Sequence, residues 1–193
     1  MTFQQELNSW LSPTPLTTSP APDIGSQAPS SEKLPFPPKN GNPTIIAFLR
    51  HCGCPVAEKT FKSLRDQAST HKDINFIAVS HSSQESTEKW LSALYGPGDI
   101  HVIVDFEREI YAKWGLGVSS AWHVLNPISM WNVFKLGKEE GIWNRPTESG
   151  NRWQTSGSWG VDEKGVVRWG GVAKSAADIL DFGEGVKVLE GDK

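Results

Sequence analysis

Apolar and polar positions along the chain divide into three strand-and-helix units, a looser stretch and a closing hairpin. TIIAFLR (44–50) is an unbroken β-branched and aromatic run, the pattern of a strand buried on both faces of a mostly parallel sheet. Pro55 stands where a first helical residue would, and Ala57, Phe61, Leu64 and Ala68 recur at offsets of four, three and four, so a helix is predicted from Cys54 or Pro55. INFIAVS (74–80) reads as a second strand, and Ser82 with Glu85 forms a capping-box pattern for a helix carrying Trp90, Leu91 and Leu94. HVIVD (101–105) is a third strand, followed by a short helix through Ile110, Tyr111 and Trp114 that stops at Gly115 and Gly117. Residues 118–156 lose this regularity and read as an insertion, with a helix opening at Asn126-Pro127 and bearing Met130, Trp131, Val133 and Phe134. SWGVD and VVRWG then flank Glu163-Lys164-Gly165 as a hairpin, and Ser175 to Leu189 is predicted as a closing helix. The order implies an α/β domain: a central mixed sheet with helices on both faces and a helical insertion before the C-terminal β-hairpin.

Residues 1–43 precede this domain, which takes in 44–193. Their stretch from 11 to 43 is rich in Pro, Ser, Thr and Gly, a composition poor in surface to bury, and is expected to wrap the domain as a tail. The net charge of -3, from 19 basic and 22 acidic residues, concentrates no positive field for nucleic acid or an anionic membrane, so a small-molecule or protein substrate is the expectation. No run approaches the roughly 20 apolar residues of a membrane span, and the first residues show no secretory signal. The two cysteines, Cys52 and Cys54, are too few for a disulfide scaffold, and a reducing, cytoplasmic setting is expected. His51, His81, His101 and His123 show no metal-site spacing, and the glycine-rich fragments lack the context of a phosphate loop; neither metal nor nucleotide cofactor is expected.

Chemistry concentrates at residues 50–58. A thiol acts as a nucleophile through its thiolate, and the first turn of a helix supplies free N–H groups and partial positive charge that favour it. Cys54 occupies that place, with Arg50 and His51 adding positive charge beside it and Glu58 one turn further on. A buried cysteine with no reactivity is the alternative reading. Cys52 is a candidate partner, separated from Cys54 by Gly53 alone; packing at the end of a buried strand is the other role open to it. Nine tryptophans in so short a chain suggest an aromatic pocket.

FLRHCGCPVAE (48–58) resembles the strand-to-helix active-site segment of the AhpC/TSA-type peroxiredoxin-like proteins, which include the peroxiredoxin-like 2 group. IGSQAP (24–29), VDFEREIYAKWGLG (104–117) and GSWGVDEKGVVRWGG (157–171) are similar to that family's opening segment, third strand with its short helix, and closing hairpin, in consistent order. The resemblance implies a thioredoxin-like fold and a thiol oxidoreductase that reduces a hydroperoxide or similar electrophile through Cys54, restored by an external thiol. Cys54, Cys52, Arg50 and His51 are then the catalytic candidates. Glu58, Trp122, Trp131, Trp153 and Arg152 are the substrate-binding ones, and a homodimer is left open. Arg50, Arg152 and Arg168 are candidates to steady the leaving oxygen. Two departures stand out. The second cysteine of the Cys-Pro-x-Cys pair is Ala57 here, and the threonine and proline three and seven residues before the cysteine in ordinary peroxiredoxins are His51 and Ala47. They motivate an alternative in which the fold binds or transforms a bulky apolar molecule in a pocket lined by Trp122, Trp131, Trp143 and Trp153, without peroxidase activity.

Overall fold

The apolar run at 44–50 becomes β1 (Thr44–Phe48), all five residues buried. In the computed structural model, which describes residues 11, 13–119, 127–145 and 149–191, it is the central strand of a five-stranded sheet. The chain continues as α1 (Pro55–Thr70), β2 (Asn75–Ser80), α2 (Gln84–Ala93), β3 (Ile100–Val104), α3 (Glu109–Lys113), α4 (Pro127–Glu140), β4 (Gly157–Val161), β5 (Val167–Val172) and α5 (Phe182–Gly191). The sheet order is β3-β2-β1-β4-β5. β1 pairs in parallel with β2, Ile46 opposite Ile77, and β2 in parallel with β3. β1 is antiparallel to β4, Ile46 opposite Trp159, and β4 to β5.

Alternation along β1 explains why no polar residue interrupts it. Ile45 and Ala47 point into one core with Phe61 and Leu64 of α1, Trp90 of α2, and Phe182 and Val186 of α5. Ile46 and Phe48 point into a second core with Leu34, Tyr111, Trp114, Trp159 and Val161. In this second core Phe48 meets the rings of Tyr111, Trp114 and Trp159 at centroid separations of 5.1, 5.3 and 5.6 Å. Trp114 and Trp159 are wholly buried, so these two tryptophans serve packing.

Residues 24–28 run beside the hairpin. The Gly25 and Ala28 amides donate to the carbonyls of Val167 and Gly165, both at 2.8 Å, and the Val167 amide donates to Ser26 O at 2.9 Å. Leu34 anchors the following stretch in the second core.

Two local expectations need correction. The cap of α2 is Ser83, whose hydroxyl accepts from the Ser86 amide; the Ser82 hydroxyl is engaged elsewhere, accepting from the Cys52 amide and donating to Ser149 O, both at 3.0 Å. The closing helix begins at Phe182, seven residues later than its apolar pattern suggests. Side chains of the preceding segment take up backbone amides: Ser175 accepts from Ala177, Asp178 from Lys174, and Asp181 from Gly183, where it opens the helix.

Asp105 holds α3 in place. Its buried carboxylate accepts from the amides of Glu109, Ile110 and Tyr111 at 3.2, 2.8 and 3.1 Å. The Tyr111 hydroxyl sits 2.6 Å from Leu49 O and 2.7 Å from Val79 O, fixing the ends of β1 and β2 where the cysteine segment departs. Asp105→Ala, which strands three amides at once, is expected to cost about 2 kcal/mol, read as a lower urea midpoint at unchanged slope.

Candidate active site

Beyond β1 the chain turns through Arg50, His51, Cys52 and Gly53 and enters α1 at Cys54. Gly53 has φ +102°, a conformation open to glycine and costly for other residues. The turn closes with the Cys54 amide donating to His51 O at 3.1 Å, and the Cys54 carbonyl accepts the first helical bond from the Glu58 amide at 3.0 Å. Cys54 is thus the N-cap of α1, with extended backbone, no capping bond from its side chain, and Pro55 as first helical residue. Its side chain lies in the first core, and the residue is 4% exposed.

Cys52 has a different environment. Its Sγ lies 3.7 Å from Ser80 Oγ and donates to Thr87 Oγ1 at 3.8 Å. Burial pushes this thiol up, and the surrounding hydroxyls only partly oppose that. Cys52 and Gly53 form part of the wall of a cavity of about 270 Å3, shared with Ser86, Lys89, Trp90, Ala93 and Arg145. Both cysteines are unpaired.

Arg50 is buried, and its guanidinium donates to Ala176 O at 3.2 Å and to Arg152 O at 2.6 Å. It joins two loops to the end of β1, and the contact with Arg152 is made to that residue's carbonyl. His51 is also buried, and neither ring nitrogen has a hydrogen-bond partner among the described residues. Burial, then the charges of Arg50 and Arg152, hold it neutral well below the usual histidine range. Its neighbour His81 is lowered to about 4, again chiefly by burial.

Glu58 is a buried carboxylate in the first turn of α1. Lys62 Nζ reaches one of its oxygens at 2.7 Å and Arg145 Nε the other at 3.0 Å. Burial raises this carboxyl, but the two cationic hydrogen bonds outweigh it and hold it below its ordinary value. Glu58 therefore clamps the segment carrying Arg145, whose amide also donates to Gly53 O at 2.9 Å. Nothing in the sequence points to Arg145, because no local signal links it to a carboxylate 87 positions earlier. Ser80, Thr87 and Tyr111 escape notice likewise.

Of the tryptophans expected to line a pocket, Trp131, Trp143 and Trp153 do not line the cavity beside Cys52. Trp131 is 64% exposed and stacks beside Phe134, which in turn meets Trp143. Trp153 is half-buried, its carbonyl accepting from Ser119. Trp122 lies outside the described residues. The aromatic wall of the cavity beside Cys52 is Trp90, which the sequence pattern places on a helix with no role in a site. Among the described residues no three His, Cys, Asp or Glu side chains gather as a metal cluster.

The family model of the AhpC/TSA antioxidant enzymes matches residues 61–175, a span that starts just after the two cysteines. No curated protein matches the chain. Among solved structures, a peroxiredoxin-like protein from Aquifex aeolicus is similar at 13% identity and TM-score 0.61, covering 90% of each chain. A cysteine-to-serine mutant of peroxiredoxin 6 of Arenicola marina follows at 14% identity and TM-score 0.58, covering 87% of this chain and 72% of that one. A thiol peroxidase from Chromobacterium violaceum gives 16% identity and TM-score 0.55 over 92% of both. These likenesses establish the thioredoxin-type architecture, and the family match, spanning more than half of the sequence, places the chain in the AhpC/TSA antioxidant enzyme family.

Proposed function

We propose that the protein is a peroxiredoxin-like thiol oxidoreductase that reduces a hydroperoxide or similar electrophile through Cys54, using an external thiol and no bound cofactor. The observation that supports this reading is the position of Cys54 as N-cap of a sixteen-residue helix, its side chain in no capping bond, in a chain of this family. The unpaired amides of a first helical turn attract an anion. The Cys54 thiolate attacks one peroxide oxygen and the O–O bond breaks. The departing alkoxide takes a proton to become the alcohol, and Cys54 keeps the other oxygen as a sulfenic acid. A reducing, cytoplasmic setting accords with two unpaired cysteines.

One observation favours a second reading. The cavity is walled by Cys52 and Trp90, while Cys54 is nearly covered. A protein that binds a bulky apolar molecule there, without reducing peroxide, accords with that placement.

Mass spectrometry of both cysteines after addition of hydrogen peroxide or an alkyl hydroperoxide, with turnover measured alongside, separates the two. Oxidation that begins at Cys54, and turnover that falls to background in Cys54→Ser, are expected. Both thiols unchanged by either peroxide, with tryptophan fluorescence quenched by an apolar ligand, would overturn the peroxidase reading in favour of the second.

A further inference from the structure

We infer that the protein carries a second binding site, remote from the cysteines, that takes a small amphipathic carboxylate with an apolar body and one anionic end. The site is a cavity of about 480 Å3 at the end of the sheet where the parallel strands begin, a volume within the roughly 300–1,000 Å3 of small-molecule pockets. Thr44, the first residue of β1, lies in its wall, whereas the cysteine segment leaves the other end of that strand. β1 is five residues long, so at about 3.3 Å per residue its ends lie roughly 13 Å apart. Ala68, also in the wall, belongs to the last turn of α1, while Cys54 caps its first. A molecule seated here does not reach the thiols, so the site goes beyond the chemistry proposed for Cys54 and stands without it.

The cavity is shaped by contacts within the chain. One wall is the segment 33–40, which precedes the family-matched span of 61–175. Leu34 anchors that segment in the second core, and the Phe36 ring meets Trp114 edge-on at 5.9 Å. The Leu34 and Phe36 amides donate to Ser31 Oγ and Ser30 Oγ at 3.1 and 2.9 Å. At the rim, Asn40 and Asn75 exchange side-chain amide hydrogen bonds at 2.7 and 3.0 Å, and Asn75 Nδ2 lies 3.2 Å from both Asn42 O and Thr44 Oγ1. Pro35 and Pro38 have no amide hydrogen to donate, so this side meets a ligand through carbon. Half-buried Pro35, Phe36, Pro38 and Ile77 therefore suit a hydrocarbon body.

Charge selects the other end of the ligand. The wall carries the ammonium groups of Lys33, Lys39 and Lys72 against the carboxylate of Asp99, with His71 and His101 beside them. Lys72 Nζ is engaged by Asp99 at 2.7 Å and by Ala68 O, at the C-terminal end of α1, at 3.2 Å. His71 Nδ1 is turned to Glu190 at 3.0 Å, and Lys33 Nζ donates to Val104 O at 3.2 Å. Lys39 has no hydrogen-bond or ion-pair partner among the described residues. The uncompensated charge is thus positive and centred on Lys39, beside the apolar surface of Pro38. A carboxylate laid against Lys39, with its hydrocarbon along Pro35, Phe36 and Ile77, meets both halves of the wall. A cationic amphiphile would be repelled by Lys39, and an uncharged one would gain nothing from it.

The test titrates the isotope-labelled full chain with decanoate, and with decanol and decyltrimethylammonium as uncharged and cationic counterparts, while amide NMR spectra are recorded. Decanoate is expected to give saturable shifts at Ile77, His101 and the side-chain amides of Asn40 and Asn75, with none at Gly53 or Trp90. It should bind at least about threefold more tightly than decanol, with decyltrimethylammonium the weakest of the three. Lys39→Glu, an exposed substitution, should weaken decanoate about fivefold and leave decanol unchanged. No saturable shift with decanoate overturns the site. Shifts at Gly53, Lys89 and Trp90 in place of those at Asn40 and Asn75 do the same, because they put the ligand in the cavity beside Cys52. Equal affinity for decanoate and decanol, or a Lys39→Glu variant that binds decanoate as the unaltered protein does, rejects the anionic ligand. Peroxide turnover enters none of these readouts, so failure of the thiol chemistry and failure of this site are told apart.

Discussion

Gly170→Ala is expected to lower the unfolding free energy by about 4 kcal/mol, a large share of the roughly 5–15 kcal/mol that holds a domain together. Gly170 lies in β5 opposite Trp159, with φ +102°. A Cβ there would sit 2.0 Å from Ser158 O and 2.8 Å from Trp159 Cα, both backbone atoms. No side chain can rotate to make room, so β4 and β5 would have to part at the strand that packs Trp159 against Phe48. In a chain of this length the melting midpoint should fall by about 10 °C or more. Gly41→Ala separates the two causes. Its φ is +73°, and nothing lies within 4 Å of the added carbon; it should therefore cost only about 1 kcal/mol, for conformation alone. Equal losses in both variants would show that the approach of Ser158 is not what matters.

Much of the framework is legible in the sequence because its signals are local. β1 announces itself by having no polar face, and α1 by Pro55 followed by apolar residues one turn apart. The closing helix reads too long because Ile179 and Leu180 keep a helical period, while Ser175, Asp178 and Asp181 turn their oxygens onto nearby amides; periodicity does not register that competition. For the site, the place of Cys54 follows from the strand-to-helix junction, but the surroundings do not. Arg50 has the charge expected of a residue beside a reactive thiol, yet the loops carrying Ala176 and Arg152 supply carbonyls that absorb it. Arg145 and Thr87 reach the cysteine segment only after the chain has folded back on itself. Composition, likewise, cannot separate Trp159, sealed in the core, from Trp131, standing in solvent.

The same folding back creates a second large effect, a steep loss of stability in mild acid. His51 and His81 are both buried beside cationic side chains and held neutral, His51 well below the ordinary value of 6.5 and His81 at about 4. In the unfolded chain each takes up a proton as the pH falls through about 6.5, while the folded state refuses it. The unfolded state therefore binds more protons, and stability must decline between pH 6.5 and the folded value near 4. For His81 alone the loss is about 2.5 kcal/mol by pH 4.5, and His51 adds to it in the same direction. Asp105, whose carboxyl burial raises, opposes this only near the bottom of the window. Urea unfolding at pH 7 and pH 4.5 should show a fall of at least about 2.5 kcal/mol. His51→Leu should flatten the decline: its side chain cannot take a proton, and it forfeits no hydrogen bond, since neither ring nitrogen of His51 has a partner among the described residues. A stability that stays level between the two pH values would mean that these rings are protonated or solvated in the folded protein, and would undo the burial on which the prediction depends.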